Sequence, residues 1–497
     1  MKFLPPEAFA KRQEGYRLLP MRFRRLPWDT ERVLVSSISG DWLIMPRTML
    51  DALVDGAMDP GSVLATDLEA RHLITRGPLS TPLAPLLSQV RTRKRFLQAG
   101  PALHLFVVSL RCHHTCNYCQ VSRQDTAKTA FDMSGDVAEL AVERLFEWPG
   151  HHLTIEFQGG EPLLHFGRVR DLTERILARN EEQKRGLKFV LTSTLHDLTD
   201  EQLDFFAEHK FQLSTSLDGP EWLHDANRPR PGRDSYRRTI EGIGRARCAL
   251  GEDAISALTT LTQRSLSAPQ EIVDEYRKQG LHSIFLRPLS PYGFARRTAA
   301  RNSYPLASFQ TFYRKALDHI LAINRSGYAM KEVYGGLILS QLLTPFSHGY
   351  VDLRSPTGGC LGAVVYDYDG QVYPSDEARM LAAMGDTTFA IGRVEQPVAE
   401  WLDSPAMQRL LDSGVAESLP GCSDCAFVPL CGADPVDHYA RQGDLVGHRP
   451  SSDFCAKQIG FFDLMLQRLE LADPEERKIL EDWALPEAST KAHVEVA

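Results

Sequence analysis

The 497-residue chain is 43% hydrophobic and 24% charged, with 30 Pro and 35 Gly scattered along it. That composition excludes collagen-like, low-complexity and wholly disordered material. A formal charge of −8 and the lack of any basic run remove the electrostatic footprint of a nucleic-acid binder. No window holds about 18 uninterrupted apolar residues, and the start Met1-Lys2-Phe3-Leu4-Pro5-Pro6 lacks the apolar run of an export signal. A cytoplasmic protein that engages neither membrane nor nucleic acid is expected, with about three domains at about 150 residues each.

Taken in chain order, residues 1–95 form a composition block of their own. Strand-like Val33 to Ser37 and Trp42 to Met45 flank Ser39-Gly40-Asp41, and helix-like Arg47 to Asp55 follows, which predicts a hairpin plus helices in a small α+β domain. Thr75 to Gln98, with Pro78, Pro82 and Pro85, reads as a linker followed by a short helix. From Leu105 the chain alternates short apolar runs with amphipathic stretches. Strands are expected at Leu105 to Leu110, Leu153 to Phe157, Leu187 to Thr192, Phe211 to Leu217, Ile255 to Leu261 and Ile284 to Leu289, with helices between them. Right-handed crossovers then give an α/β partial barrel whose strand C-termini carry the site-forming loops. A helical connector spans 301–350. Ala363 to Tyr368 and Gln371 to Tyr373 then flank the hairpin signal Asp369-Gly370. A loop-dominated cysteine-rich segment falls within 351–460, and 461–497 is expected to be helical, broken at Asp473-Pro474 and frayed from Pro486.

The nine cysteines are an odd number in a long chain, which argues against a disulfide framework. Cys112, Cys116 and Cys119 share one loop directly after the first barrel strand. Three thiolates so close can hold three irons of a [4Fe-4S] cube and leave the fourth open to a substrate such as S-adenosylmethionine (SAM). A zinc knuckle borrowing His113 or His114 is the alternative on these residues alone. One βα unit later, Gly159, Gly160 and Glu161 place two glycines, which permit close backbone approach, and a carboxylate able to accept an ammonium at the same rim.

CX3CX2C with Tyr118 before its last Cys, followed by Gly159-Gly160-Glu161-Pro162, resembles the radical SAM superfamily. Leu213 to Pro220 and His224-Asp225-Ala226-Asn227-Arg228 are similar to peptide-modifying members, among them the anaerobic sulfatase maturases. The resemblance implies Ser216 at the ribose, Arg228 at the SAM carboxylate or ribose region, and Tyr118 near the adenine. Cys422, Cys425, Cys431 and Cys455 resemble the C-terminal SPASM extension of such maturases, which usually holds two auxiliary [4Fe-4S] clusters. Here the second set is incomplete: Ser375 and Pro435 stand where its cysteines belong. One auxiliary [4Fe-4S] cluster is therefore expected, with Cys360 left as a free thiol or unusual ligand. The alternative from spacing alone is a four-cysteine zinc site. Asp376 matches the proton-accepting Asp of sulfatase maturases and is the candidate base. Cys248, inside a helical stretch, reads as a buried small apolar residue.

The N-terminal block loosely resembles the small winged peptide-recognition domains of such maturases, where a strand edge captures a leader peptide. Phe285 to Gly293 and Asp376 to Met380 are most similar to the His-Xaa-Ser system maturases, in particular the B-type member. The resemblance therefore implies a partial (β/α)6 radical SAM barrel at 96–300 with a SPASM-like C-terminal domain. It also implies a ribosomal precursor peptide as substrate and a reducing partner such as flavodoxin or ferredoxin. A formylglycine-forming oxidation and a non-catalytic zinc-stabilised peptide-binding module are the other functions these motifs allow.

Overall fold

The computed structural model describes residues 15–346 and 350–485. The expected frayed tail from Pro486 and the opening six residues lie outside them. Near the N-terminus, β1 (Met21–Leu26), β2 (Asp29–Ser37) and β3 (Trp42–Pro46) form an antiparallel sheet. Helices α1 (Arg47–Val54) and α2 (Val63–Ala70) close over it. The β2–β3 turn needs the left-handed region at Gly40, where φ is +90°. The short helix expected after the linker is longer than expected, a 14-residue α3 (Ser80–Arg93) that takes in both Pro82 and Pro85. Pro82 is tolerated because it lies in the first turn, where amide hydrogens have no helical acceptor. Half-buried Arg93 at its end donates to Ser39 O (2.6 Å) and to Gln341 Oε1 (3.1 Å), which ties the N-terminal sheet to the connector helices.

Six parallel strands follow: β4 (Leu103–Ser109), β5 (His152–Gly159), β6 (Gly186–Thr192), β7 (Gln212–Ser216), β8 (Ile255–Thr260) and β9 (Leu286–Arg287). Their outer face carries α4 (Gly135–Glu147), α5 (Phe166–Gln183), α6 (Asp200–Glu208), α7 (Glu221–Asn227), α8 (Ser235–Leu250) and α9 (Pro269–Lys278). Local chemistry starts these helices. Ser134 caps α4, Thr199 and Gln202 make a reciprocal capping box on α6, and Pro269 opens α9 where its missing N–H costs nothing. Alternation along β5 then gives the sheet its two faces. Leu153, Ile155 and Phe157 are buried with Ala138, Val142, Val169 and Leu172, each large apolar side chain contributing about 1.5–3 kcal/mol. Glu156 and Gln158 therefore point into the barrel.

The sheet departs from expectation at both edges. The sixth strand is cut to two residues because Ser283–Ile284 pairs with Lys331–Glu332 of the connector instead. On the other side, β10 (Ala363–Tyr366) adds in parallel to β4, Leu105 opposite Val365, and β11 (Gln371–Tyr373) and β12 (Gly392–Arg393) extend a nine-stranded sheet. The predicted hairpin is present, yet it covers the open edge of the first barrel strand. The connector helices α10 (Leu306–Arg325) and α11 (Val333–Leu343) share one core with the C-terminal pair described below.

The cysteine-rich segment is less loop-like than expected, since it contains helix α13 (Pro435–Gln442) and Cys455 lies inside α14 (Asp453–Leu471). Helix α15 (Pro474–Ala484) starts at the predicted break, capped by Asp473. Cys248 is a correction: its thiol is exposed. The buried stripe of α8 runs Ser235, Thr239, Gly242, Ile243, Ala246, and position 248 falls on the opposite side. Among the described residues no helix is long and apolar enough to cross a membrane.

Candidate functional site

The loop carrying Cys112, Cys116 and Cys119 leaves the C-terminal end of β4 and is anchored on every side. Cys112 N donates to Gln124 O (3.1 Å), Thr115 N to Pro229 O (2.8 Å), and Phe294 N to Cys119 O (2.7 Å). Gly159 and Gly160 press the next loop against it. A Cβ at Gly159 would lie 2.0 Å from Ser109 O, and one at Gly160 would lie 2.4 Å from both Leu110 O and Arg111 O. The glycines thus serve backbone contact with the cysteine loop itself, sealed by Gly160 N to Ser109 O (2.9 Å) and Glu161 N to Arg111 O (2.7 Å).

Glu161 is buried and fully engaged. One oxygen accepts from the Ser193 hydroxyl (2.7 Å) and Leu163 N (3.1 Å), the other from Thr194 N (2.9 Å) and the Thr194 hydroxyl (2.6 Å). Ser216 ends β7 at the same rim. Tyr118 and Arg228 meet over a residue that the motif reading passed over: Asp218, fully buried just past β7. The Tyr118 hydroxyl donates to one carboxylate oxygen (2.5 Å), Arg228 Nε to the other (3.2 Å), and the guanidinium lies 5.4 Å from the Tyr118 ring centre. Its signal was its place after a strand end, in Leu217-Asp218-Gly219-Pro220.

Asp376 reaches this rim from the added domain. Helix α12 (Asp376–Ala382) begins with it, and its Oδ1 accepts from Gln158 Nε2 (3.1 Å) and Arg379 Nε (3.1 Å). Arg379 is completely buried, two of its guanidinium nitrogens lack partners, and the sequence offered no sign of it beyond its (i, i+3) place after Asp376. Glu156, inside the barrel, accepts from the Thr192 hydroxyl (2.8 Å), and burial raises its pKa against the pull of Arg287.

Burial pushes the Cys116 thiol up to about 12 while Arg228 pulls it back, and Cys112 is raised further, again by burial. Such thiols ionise only with a metal partner, so binding would release protons. Cys422, Cys425, Cys431 and Cys455 line one cavity with Phe427, Phe454, Phe462 and Arg449. Ser452 caps α14 on Cys455 N (3.1 Å), which places that thiol in the first turn at the positive end of a helix. Arg449, and Arg24 from β1, favour the thiolate at Cys455, although burial dominates and raises all four thiols. The lining of this four-cysteine set, with three phenylalanines, is largely apolar.

The incomplete second set has other duties. Ser375 caps α12 through Ala378 N (3.2 Å), Pro435 is the first residue of α13, and Cys360 lies 1% exposed in the core behind the barrel. Burial alone raises its thiol.

The family model "Radical SAM superfamily" matches residues 106–262. An uncharacterized protein of Methanothermobacter thermautotrophicus is 31% identical over 192 residues, 38% of this chain and 69% of that one. A cysteine-type anaerobic sulfatase-maturating enzyme of Clostridium novyi is 24% identical over 332 residues, 65% of this chain and 84% of that one. Among solved structures, native anSMEcpe with bound AdoMet and a peptide aligns with TM-score 0.63 at 17% identity, covering 77% of this chain and 100% of that one. Streptococcus suis SuiB bound to precursor peptide SuiA aligns with TM-score 0.51 at 14% identity, covering 88% and 98%. These last two are likenesses of fold.

Proposed function

We propose a function from one premise: the chain belongs to the radical SAM superfamily. It is an enzyme that cleaves SAM reductively and modifies a ribosomally made precursor peptide, in a His-Xaa-Ser peptide system, by crosslinking or oxidation. The observation that carries this reading is the three-cysteine loop on the C-terminal rim of a six-stranded parallel sheet, clamped there by Gly159-Gly160-Glu161. When bound, a [4Fe-4S] cluster and SAM supply reductive cleavage to methionine and a 5′-deoxyadenosyl radical, which abstracts hydrogen from the peptide.

The chain's residues hold and orient. Cys112, Cys116 and Cys119 would ligate that cluster, and Cys422, Cys425, Cys431 and Cys455 one auxiliary [4Fe-4S] cluster. Tyr118, Gly159, Gly160, Glu161, Ser216 and Arg228 would bound the SAM site. Glu161 shapes it through Ser193 and Thr194, while Asp218 fixes Tyr118 and Arg228 against Cys116. Asp376, paired with Arg379 and aimed by Gln158, would accept a proton at the barrel mouth. The added strand β10 covers the edge of β4, while the N-terminal sheet packs on the cysteine-rich segment and C-terminal helix through Ser36 to Ala426 O and Arg24 to Asp463. A cytoplasmic flavodoxin or ferredoxin is the expected electron source.

Anaerobically reconstituted protein with reductant should make 5′-deoxyadenosine, and Cys116→Ala should not; equal amounts from the two would end this reading. About eight irons per chain are expected from two cubes. Formylglycine formation is the second reading, supported by the maturase relative and by Asp376 at the rim. Loss of two hydrogens with a new crosslink in tandem mass spectra of the peptide would exclude the aldehyde product.

A further inference from the structure

Three imidazoles lie behind the cysteine loop, and the proposed chemistry uses none of them. His113 and His114 sit between Cys112 and Cys116, and His196 is in the loop after β6. One ring nitrogen from each lies within 4.8 Å of the others, and the ring centres are 4.8–5.2 Å apart. His114 and His196 are 2% and 4% exposed, and the Nδ1 of each is buried without any hydrogen-bond partner. An orphaned polar atom in such a place costs about 1–3 kcal/mol, and two within one cluster of three imidazoles call for a partner.

The rings are already held as ligands are held. His114 Nε2 meets the Ser235 hydroxyl at 2.8 Å, His196 Nε2 the Thr239 hydroxyl at 3.0 Å, and His113 Nε2 the Thr194 hydroxyl at 3.2 Å. His224 shares Ser235 at 3.0 Å from the other side. Hydroxyls that accept Nε2–H set the tautomer whose lone pair is on Nδ1, the outer-sphere arrangement that orients metal-binding histidines. The surrounding guanidiniums do not forbid a cation, since each has its own carboxylate: Arg228 on Asp218, Arg230 on Asp234, Arg238 on Asp234 and Asp197.

We propose that His113, His114 and His196 form a mononuclear site for a divalent transition metal of the zinc class, distinct from both cysteine sets. Three nitrogen donors with water as the fourth ligand match tetrahedral zinc at about 2.0–2.1 Å per bond, reached by a small approach of the rings. The metal staples the cysteine loop to the β6 loop, whose Ser193 and Thr194 also hold Glu161. Its role is to stiffen the loop that carries the first cluster. The site exists whether or not the radical chemistry is as proposed.

The test uses full-length protein with its iron–sulfur clusters assembled anaerobically, then equilibrated with zinc buffered at about micromolar free ion and desalted. Metal analysis should give one zinc per chain beyond the iron, and zinc-edge X-ray absorption should show a nitrogen/oxygen shell only. His114→Gln and His196→Gln should each weaken zinc binding by at least about tenfold at unchanged iron, while His319→Gln should bind as the parent does. Zinc below a tenth of an equivalent, or a zinc–sulfur shell at about 2.3 Å, would overturn the site in the unmutated protein, whatever the variants do. So would retention of full zinc affinity by both variants.

Discussion

The Asp218 cluster offers the sharpest quantitative test. Asp218 is fully buried, and Arg228 retains only 13% side-chain exposure. Asp218→Asn keeps the shape but removes the charge, leaving the guanidinium uncompensated and the Tyr118 hydroxyl without its anionic acceptor. Breaking a buried pair by removing one partner costs about 3–5 kcal/mol, of which a hydrogen bond to a charged group accounts for about 1.5–3 kcal/mol. For a cooperative unit the size of the barrel, each kcal/mol lowers the melting temperature by about 2–4 °C, so a drop of about 10 °C is expected. Anaerobic differential scanning calorimetry of Asp218→Asn, Arg228→Met and the double variant reads this directly. The double variant should be much less destabilised than the sum of the singles, with a coupling of at least about 2 kcal/mol. Additivity within about 0.5 kcal/mol, or a single-variant drop under about 2 °C, would refute the argument that these three side chains act as one unit.

Three further outcomes follow from particular residues. Glu332 is fully buried, accepts from Leu286 N, Gly335 N and Tyr313, and has its pKa raised from 4.5 to about 7 by burial. Folding therefore holds a proton that the unfolded chain loses above pH about 4.5. Stability should fall by about 3 kcal/mol as pH rises from about 4.5 to about 7, a slope that Glu332→Gln flattens in urea titrations across that range. Gly160→Ala forces a Cβ 2.4 Å from two carbonyl oxygens and should displace the cysteine loop. Iron should drop from about eight to about four per chain while the auxiliary set is kept, and unchanged iron counts against the clamp. Maleimide labelling of cluster-loaded native protein should modify exposed Cys248 quickly and spare buried Cys360 until the chain unfolds, with peptide mapping as the readout.

Much of this protein was legible from its residues because spacing and alternation are local. The alternation of Leu153, Ile155 and Phe157 with polar neighbours set the strand and its faces, and Gly40 and Gly370 marked turns that need positive φ, +90° and +84°. The cysteine triplet was placed directly after the first barrel strand, and the structure puts its loop there. Cys248 was misread because its burial depends on which side of α8 meets the sheet, a matter of half a helical turn. The helix after the linker was read as short because of its prolines; Pro82 lies in the first turn, where it costs little, while Pro85 is carried inside a helix whose far end Arg93 anchors. Asp218 stands in a strand-end motif, but nothing local says that a tyrosine 100 residues earlier donates to it.

By itself, then, the sequence determined the element types, the parallel half-barrel and the two thiol sets, since each rests on contacts within one loop or one βα unit. Only the tertiary structure decided what closes the barrel's open edge, what Asp376 faces and what three histidines converge on. Those depend on β10 docking beside β4 some 260 residues away, on α12 bringing Asp376 to Gln158, and on the β6 loop meeting the cysteine loop. Such pairings are chosen by burial of whole faces and by satisfaction of buried polar groups, sums over the folded chain that no short window of residues contains.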